Sequence, residues 1–370
     1  MTDAVDRRIG AAVYAGTERR LAALLGTERD VLLLQGEAII LLEATARGLG
    51  GPGTRALNLI SGPYGQVIGD WLAVGGAEVE HLAVEFDAPL SVHAVRSALD
   101  QGRFDVVSVV HAEAATGIVN PLAEIAAAVR EAGAVIVVDA VASVGAEPLE
   151  IDAWDLDLVM IGPQKALSGP AGVCALVAGE RGWAAIEGNP NAPRGSSLAL
   201  LDYKRAWIDA GRRQVPGYVY EHEMRALIQT LDELDGDPGL THLIDRHRRA
   251  AAATRAGARA LGLEPWAAGE RSAAAVVTLV QPPREVPPAA LAHAAQRYLD
   301  GGHPGLVASA PGPLADRAVR INHTGRAARP EPVLAALTAL ACGLRRLGLR
   351  PDSAAASAAA ERCLFEAPGG

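Results

Sequence analysis

Lysine is nearly absent from this chain: of its 34 basic residues only two, Lys165 and Lys204, are not arginine. Where arginine serves for charge, a retained lysine points to a need for an amine. A guanidinium stays protonated and delocalised, whereas a primary amine can condense with a carbonyl to form a Schiff base. Lys204, in Asp202-Tyr203-Lys204-Arg205, reads as an ordinary surface cation. Lys165 closes the run Gly162-Pro163-Gln164-Lys165, downstream of Val137-Val138-Asp139-Ala140. Asp139 ends an unbroken apolar stretch, where a carboxylate is costly without a cationic partner. A protonated pyridine nitrogen is one such partner. Pyridoxal phosphate chemistry needs an acid at that nitrogen and a lysine at the aldehyde. Capping of the following turn is the other use open to Asp139.

The elements that must position these residues alternate between short aliphatic runs and helical patterns. Strands are expected at 30–34, 56–60, 78–84, 105–110 and 134–139, with helices at 37–48, 66–75, 90–100 and 121–132 between them. Runs such as Ala134-Val135-Ile136-Val137-Val138 mark strands buried on both faces. This alternation implies an α/β fold with a mainly parallel sheet flanked by helices. Sites in such sheets lie at the carboxyl ends of the strands. His111, Glu113, Asp139 and the segment from Gly162 to Lys165 all fall there. Beyond a loop at 186–217 come a helical region at 219–262, a strand at 274–280 and a helix at 288–300. Strands near 305–309 and 318–322 and a helix at 329–347 complete a smaller α/β unit. The Ala/Ser-rich end from Pro351 reads as a flexible tail.

The 370 residues carry a net charge of −9, which argues against a nucleic-acid or anionic-membrane partner. Cys174, Cys342 and Cys363 are scattered and make neither a disulfide framework nor a metal site. The N-terminus lacks an apolar signal core, and the apolar stretch at 30–44 is too short and too interrupted to span a bilayer. A soluble cytoplasmic protein is expected. No Gly-x-Gly-x-x-Gly run follows a strand, so a nicotinamide cofactor is not indicated. His222 and His247 lie in charge-rich helical surroundings and read as solvated faces. His323 lies close to Arg320 in sequence but is assigned no role.

Several segments in order resemble the class V branch of the fold-type I pyridoxal phosphate aminotransferases, the serine–pyruvate/alanine–glyoxylate group. They are His111-Ala112-Glu113-Ala114-Ala115-Thr116-Gly117, Asn120-Pro121-Leu122, the stretch VDAVASVGAEPLEIDAWDLD at 138–157 and GPQKALSGPAGV at 162–173. The resemblance covers about residues 20–345. It implies pyridoxal 5'-phosphate as cofactor, Lys165 as the Schiff-base lysine, Asp139 as partner of the ring nitrogen and Gln164 as a phosphate contact. Tyr64 falls where the family stacks an aromatic on the ring. Arg320, in Val319-Arg320-Ile321-Asn322, falls where it holds the substrate carboxylate, a task that suits a planar fork.

Departures from the family pattern cluster around the cofactor. The phosphate turn, usually rich in Gly, Ser and Thr, reads Gln35-Gly36-Glu37-Ala38-Ile39. Backbone N–H groups at a helix N-terminus can still hold a phosphate, but Glu37 has the wrong sign unless it points away. Ala114 stands where a Ser or Thr touches the ring's phenolic oxygen, and Pro163 where a small polar residue is usual. The family's Thr-Pro-Pro at the dimer interface reads Val215-Pro216-Gly217. An N-terminal arm expected before Ile9 is shortened.

The resulting expectation is a large cofactor-binding domain over 1–235, a small C-terminal domain over 236–350 and a flexible tail over 351–370. The expected activity is transfer of an amino group between a small amino acid and a 2-oxo acid. The resemblance further implies a homodimer, with segment 203–225 a candidate for its interface. A lyase or aldolase-type enzyme on the same fold, or a degenerate member acting as a partner subunit, remain the alternatives.

Overall fold

A computed structural model describes residues 9–235, 239–299 and 302–366. Its first half runs α1 (Ala11–Leu25), β1 (Asp30–Gln35), α2 (Ala38–Leu49), β2 (Arg55–Ile60), α3 (Pro63–Gly75), β3 (Glu78–Ala83), α4 (Val92–Gln101) and β4 (Val106–Val110). A small hairpin, β5 (Ala112–Glu113) and β6 (Ile118–Val119), leads to α5 (Leu122–Glu131), β7 (Val135–Asp139), β8 (Leu158–Ile161) and β9 (Val173–Ala178). Helices α6 (Glu180–Gly188), α7 (Leu200–Tyr203), α8 (Glu221–Asp235) and α9 (Gly239–Ala260) follow. The remainder is β10 (Glu264–Pro265), β11 (Val277–Gln281), α10 (Pro288–Gln296), β12 (Val307–Ser309), β13 (Val319–Asn322), α11 (Pro330–Arg346) and α12 (Ser353–Phe365).

Seven strands form one sheet in the order β1-β9-β8-β7-β4-β2-β3. The run from β8 to β3 is parallel, and β9 is antiparallel to both its neighbours. Strands β4, β8 and β9 are buried throughout and β7 nearly so, which explains their unbroken Val, Ile and Leu content. A second antiparallel sheet, β10-β11-β13-β12, carries the smaller core. Between the two cores lies a third apolar cluster. Ala112, Ala114, Ala142 and Ala166 from the large sheet's rim meet Trp266, Val276, Val277 and Leu279 there. The two sheets therefore join directly behind the carboxyl ends of the parallel strands.

Three findings differ from the sequence reading. Helix α3 begins at Pro63 and not at the expected residue 66, so Tyr64 lies in its first turn. Residues 353–365 are not a loose tail: they form α12, whose Ala356, Ala360 and Leu364 pack into the small core. Asp352 caps that helix by accepting the Ala355 N–H at 2.9 Å. His247 is not solvated but fully buried on α9. Among the described residues no helix is long and apolar enough to cross a membrane, and no cluster could hold a metal ion.

Candidate active site

Asp139 is the last residue of β7 and is buried. Its Oδ1 accepts the Val141 N–H at 2.8 Å. Burial pushes its carboxyl up to about 6, against the opposing pull of that N–H and of Lys165. A cation at the free side of this carboxylate would restore its charge, as a protonated ring nitrogen does.

Lys165 lies in the turn after β8. That turn is fixed by two backbone bonds, Ser168 N–H to Lys165 O at 3.0 Å and Gly169 N–H to Pro163 O at 2.8 Å. Ser168 adopts a left-handed conformation with φ +63°, a strained geometry for a residue with a Cβ. The half-buried Lys165 amine has its pKa lowered, first by burial and then by Arg320, with Glu37, Asp139 and Glu113 opposing. A lowered amine pKa enlarges the uncharged fraction that can attack a carbonyl. Lys204 is held by Asp209 at 2.9 Å, away from this cavity.

Tyr64 is positioned by a residue that sequence reasoning noted without giving it a task. Glu113 is completely buried, and its Oε2 accepts the Tyr64 N–H at 3.1 Å while Oε1 accepts the Ala115 N–H at 3.2 Å. The carboxylate thus caps α3 from a distant hairpin, in place of a side chain at the Gly62 cap position. Gly62 has to be glycine, because a Cβ there would lie 2.1 Å from Glu113 Cγ. Burial pushes the Glu113 carboxyl up to about 7.

A cavity of about 330 Å³ gathers Lys165, Asp139, Tyr64, Glu37, Ala38 and Ala114. Ile39, Leu42, Val110, Ala112, Val141 and Ala142 supply an apolar remainder. Of two larger surface grooves, the one of about 910 Å³ contains none of the predicted residues, and the one of about 800 Å³ takes in His111 but none of the expected cofactor or substrate contacts. Arg320, on β13, does not line this cavity, but it is close enough for its charge to act on Tyr64 and Lys165. Burial lowers its pKa, and its Nε has no hydrogen-bond partner among the described residues. Such a half-buried guanidinium suits a carboxylate ligand.

The ring half of pyridoxal phosphate fits these residues; the phosphate half does not. Glu37 is the N-cap of α2, and its Oε2 accepts the Ile39 N–H at 2.8 Å. Its Oε1 accepts Gln164 Nε2 at 2.6 Å, so the amide expected on a phosphate is bound to a carboxylate. The Gly36 N–H is directed to Gly172 O at 2.8 Å and the Ile40 N–H to Glu37 O at 3.0 Å. Gly36 itself needs φ +148°, and a Cβ there would strike Ile40 Cδ1 at 2.9 Å. The positive end of α2 is therefore already capped by an anion from its own chain.

The family profile Aminotransferase class-V matches residues 14–188. Pyridoxamine–pyruvate transaminase from Mesorhizobium japonicum is 34% identical over 320 residues, 86% of this chain and 79% of that protein. The crystal structure of pyridoxamine–pyruvate aminotransferase from Mesorhizobium loti superposes with a TM-score of 0.89 at 31% identity, covering 98% of this chain and 91% of that one. Ureidoglycine–glyoxylate aminotransferase from Bacillus subtilis gives 0.82 at 26% identity, with 96% and 92% covered. With the fold, the lysine turn and these relatives in agreement, the chain belongs to the class V aminotransferases, fold-type I enzymes of the pyridoxal phosphate-dependent class that move an amino group between an amino donor and a 2-oxo acid.

Proposed function

We propose that the amino donor is pyridoxamine, the phosphate-free form of the vitamer, and that the acceptor is a small 2-oxo acid such as pyruvate. The observation that carries this reading is the Glu37 carboxylate, bound to the Ile39 N–H and to Gln164 at the N-terminus of α2. A phosphate brought there meets a negative charge, while a neutral hydroxymethyl group meets a hydrogen-bond acceptor. The 34%-identical relative named for pyridoxamine and pyruvate supports the same choice.

The pyridine–aldehyde unit, when bound, supplies an electron sink. Lys165 Nζ would be placed to carry a proton between the two carbons flanking the transferred nitrogen, and its amine would be the group that meets the carbonyl carbon of the pyridoxal product. The Asp139 carboxylate keeps the ring nitrogen protonated. Tyr64 covers one ring face, and the small Ala114 and Ala142 leave room within the cavity. Arg320 binds the 2-oxo acid's carboxylate with its planar fork. The apolar wall of Ile39, Leu42 and Val110 favours a small, uncharged acceptor side chain.

A second copy of the chain completes the unit in this reading. Ile39, Ile40, Tyr64, Tyr218 and Tyr220 are exposed, and Gln35 ties the Tyr218–Tyr220 segment to the mouth of the site through Tyr218 O and the Tyr220 N–H. Light scattering that returns the mass of one chain would remove the dimer from the proposal. The activity itself is tested by incubating the protein with pyridoxamine and pyruvate and measuring pyridoxal and alanine. Turnover lost in Lys165→Ala is the expected result. A wild-type protein that leaves pyridoxamine unconverted with every 2-oxo acid tried, but transaminates alanine with pyridoxal phosphate, overturns the vitamer reading.

A further inference from the structure

We propose that His247 is a positioning residue for the transamination site: its imidazole holds the loop leaving the Arg320 strand against the turn that carries Lys165. It thereby sets the spacing between the substrate anchor and the amine. The proposal rests on the roles given above to those two residues.

Helix α9 joins the two cores, since Leu243 belongs to the large one and Ala250, Ala253 and Ala258 to the small one. His247 lies between them and is fully buried. Its two nitrogens have distinct partners. Nδ1 lies 2.8 Å from Leu243 O, and a carbonyl only accepts, so Nδ1 carries the proton. Nε2 is then the acceptor, and it takes the Gly325 N–H at 2.8 Å. Burial keeps the ring neutral by pushing its pKa down to about 4, so this tautomer persists at physiological pH.

Gly325 is the point at which the small domain rests on the catalytic turn. It adopts φ +62°, and a Cβ there would lie 2.5 Å from Ser168 Oγ and 2.8 Å from Lys165 O. Arg320 lies on the strand that ends at Asn322, just before this loop. The intervening residues are fastened to the neighbouring strand and its approach, His323 to Thr278 Oγ1 at 2.8 Å and Thr324 Oγ1 to Val276 O at 2.5 Å. One short path therefore links α9, through His247 and Gly325, to Lys165 on one side and Arg320 on the other. An apolar residue of equal size would fill the space and leave the Gly325 N–H without its acceptor, so the loop would settle elsewhere.

Two substitutions separate positioning from packing. His247→Met keeps the volume and removes the acceptor. His247→Gln places Oε1 the same number of bonds from Cα as Nε2 and restores it. The readouts are Schiff-base formation at Lys165 with pyridoxal, followed by visible absorbance, and the KM and kcat for the 2-oxo acid. Both are measured with whichever amino donor the wild type accepts. His247→Met is expected to raise the KM about tenfold, the effect of one lost hydrogen bond, with pyridoxal binding kept within about twofold. His247→Gln is expected to stay within about threefold of wild type. An unchanged KM in His247→Met, or equal losses in both variants, overturns the proposal. Should His247→Met fail to fold, His247→Asn replaces it. Its shorter side chain cannot reach Gly325, so Asn impaired beside an active Gln supports the role and equal activities refute it. A wild type active only with pyridoxal phosphate and an amino acid refutes the vitamer reading, yet still lets the His247 ratio be read.

Discussion

Replacing Glu37 by serine tests the vitamer assignment while leaving the helix it caps in place. Serine is as good an N-cap as a carboxylate, so α2 keeps an acceptor for its first N–H groups. What is lost is one negative charge at a place where the Ile39 N–H and Gln164 lie within 2.8 Å of it. A phosphate drawn to the same N–H groups comes within about 4 Å of that charge. One charge pair at this separation costs about 1 kcal/mol in bulk water and about 4 kcal/mol near a protein surface. Glu37 is solvent-exposed, so about 1–2 kcal/mol per pair is the appropriate end. A phosphate charge of about −1.5 to −2 then gives about 1.5–4 kcal/mol. That corresponds to roughly ten- to a thousand-fold discrimination against the phosphorylated form. Attraction to the helix N-terminus offsets only about 0.3–1 kcal/mol of it. Titration of the wild type and Glu37→Ser with pyridoxal and with pyridoxal phosphate, followed by Schiff-base absorbance, measures the ratio of the two dissociation constants. Glu37→Ser should move that ratio toward the phosphate form by about tenfold or more, and the wild-type discrimination should weaken as salt is raised. A wild type that already prefers pyridoxal phosphate, or a ratio that the substitution moves less than threefold, refutes the reasoning.

Arg320→Lys keeps the charge and loses the planar fork. The kcat/KM for the 2-oxo acid should fall by about tenfold to a hundredfold, the weight of a charge-assisted pair, while Schiff-base formation with pyridoxal is kept. An unchanged kcat/KM would move the carboxylate site elsewhere. Glu147 offers a pH test remote from the cavity. It is buried, its Oε1 accepts the Ala275 N–H at 2.6 Å, and burial raises its carboxyl from 4.5 to about 7. The folded pKa is above the unfolded one, so the stabilising contribution is full below about pH 4.5 and is lost as the pH rises towards about 7. Glu147→Gln keeps an acceptor and cannot titrate. Relative to wild type it should gain stability between pH 5 and pH 8, by on the order of 2–3 kcal/mol. Denaturant melts giving the same difference at both pH values would sink this account.

What could be read from the sequence was what depends on neighbours along the chain. Asp139 follows an apolar run and Lys165 follows β8, so the topology of a parallel sheet brings both to one rim without further information. The distant partners were harder. Nothing local to Tyr64 announces that Glu113 will cap its helix, and Gly62 gains its meaning only when that carboxylate arrives beside it. Two misread segments did carry a signal. His247 falls on the same stripe as Leu243, Ala250, Ala251, Thr254 and Ala258, the buried face of α9, and surrounding charge obscured it. In α12 the stripe is built from Ala356, Ala360 and Leu364. Alanines look like tail composition, yet their small size lets that helix pack closely on α9.

Glu37 is the point at which local chemistry and function meet. The N-terminus of a helix offers a small set of N–H groups and one positive dipole end, and these can be satisfied by a side chain of the helix or by an anionic ligand. A Gly, Ser or Thr turn leaves the choice to the ligand, because a hydroxyl or a bare backbone tolerates an incoming anion. A glutamate that accepts the Ile39 N–H and draws in the Gln164 amide settles the choice within the protein itself. The consequences run in two directions. The chain gains a capped α2 and an ordered cavity wall without any ligand, and it gives up the strongest handle by which the family grips its cofactor. In the proposed function, a ring held by Lys165, Asp139 and Tyr64 without a phosphate anchor would be bound more weakly and would leave after each amino transfer. A substrate must leave and a resident cofactor must not, and on this argument the charge at position 37 decides which of the two the pyridine ring becomes.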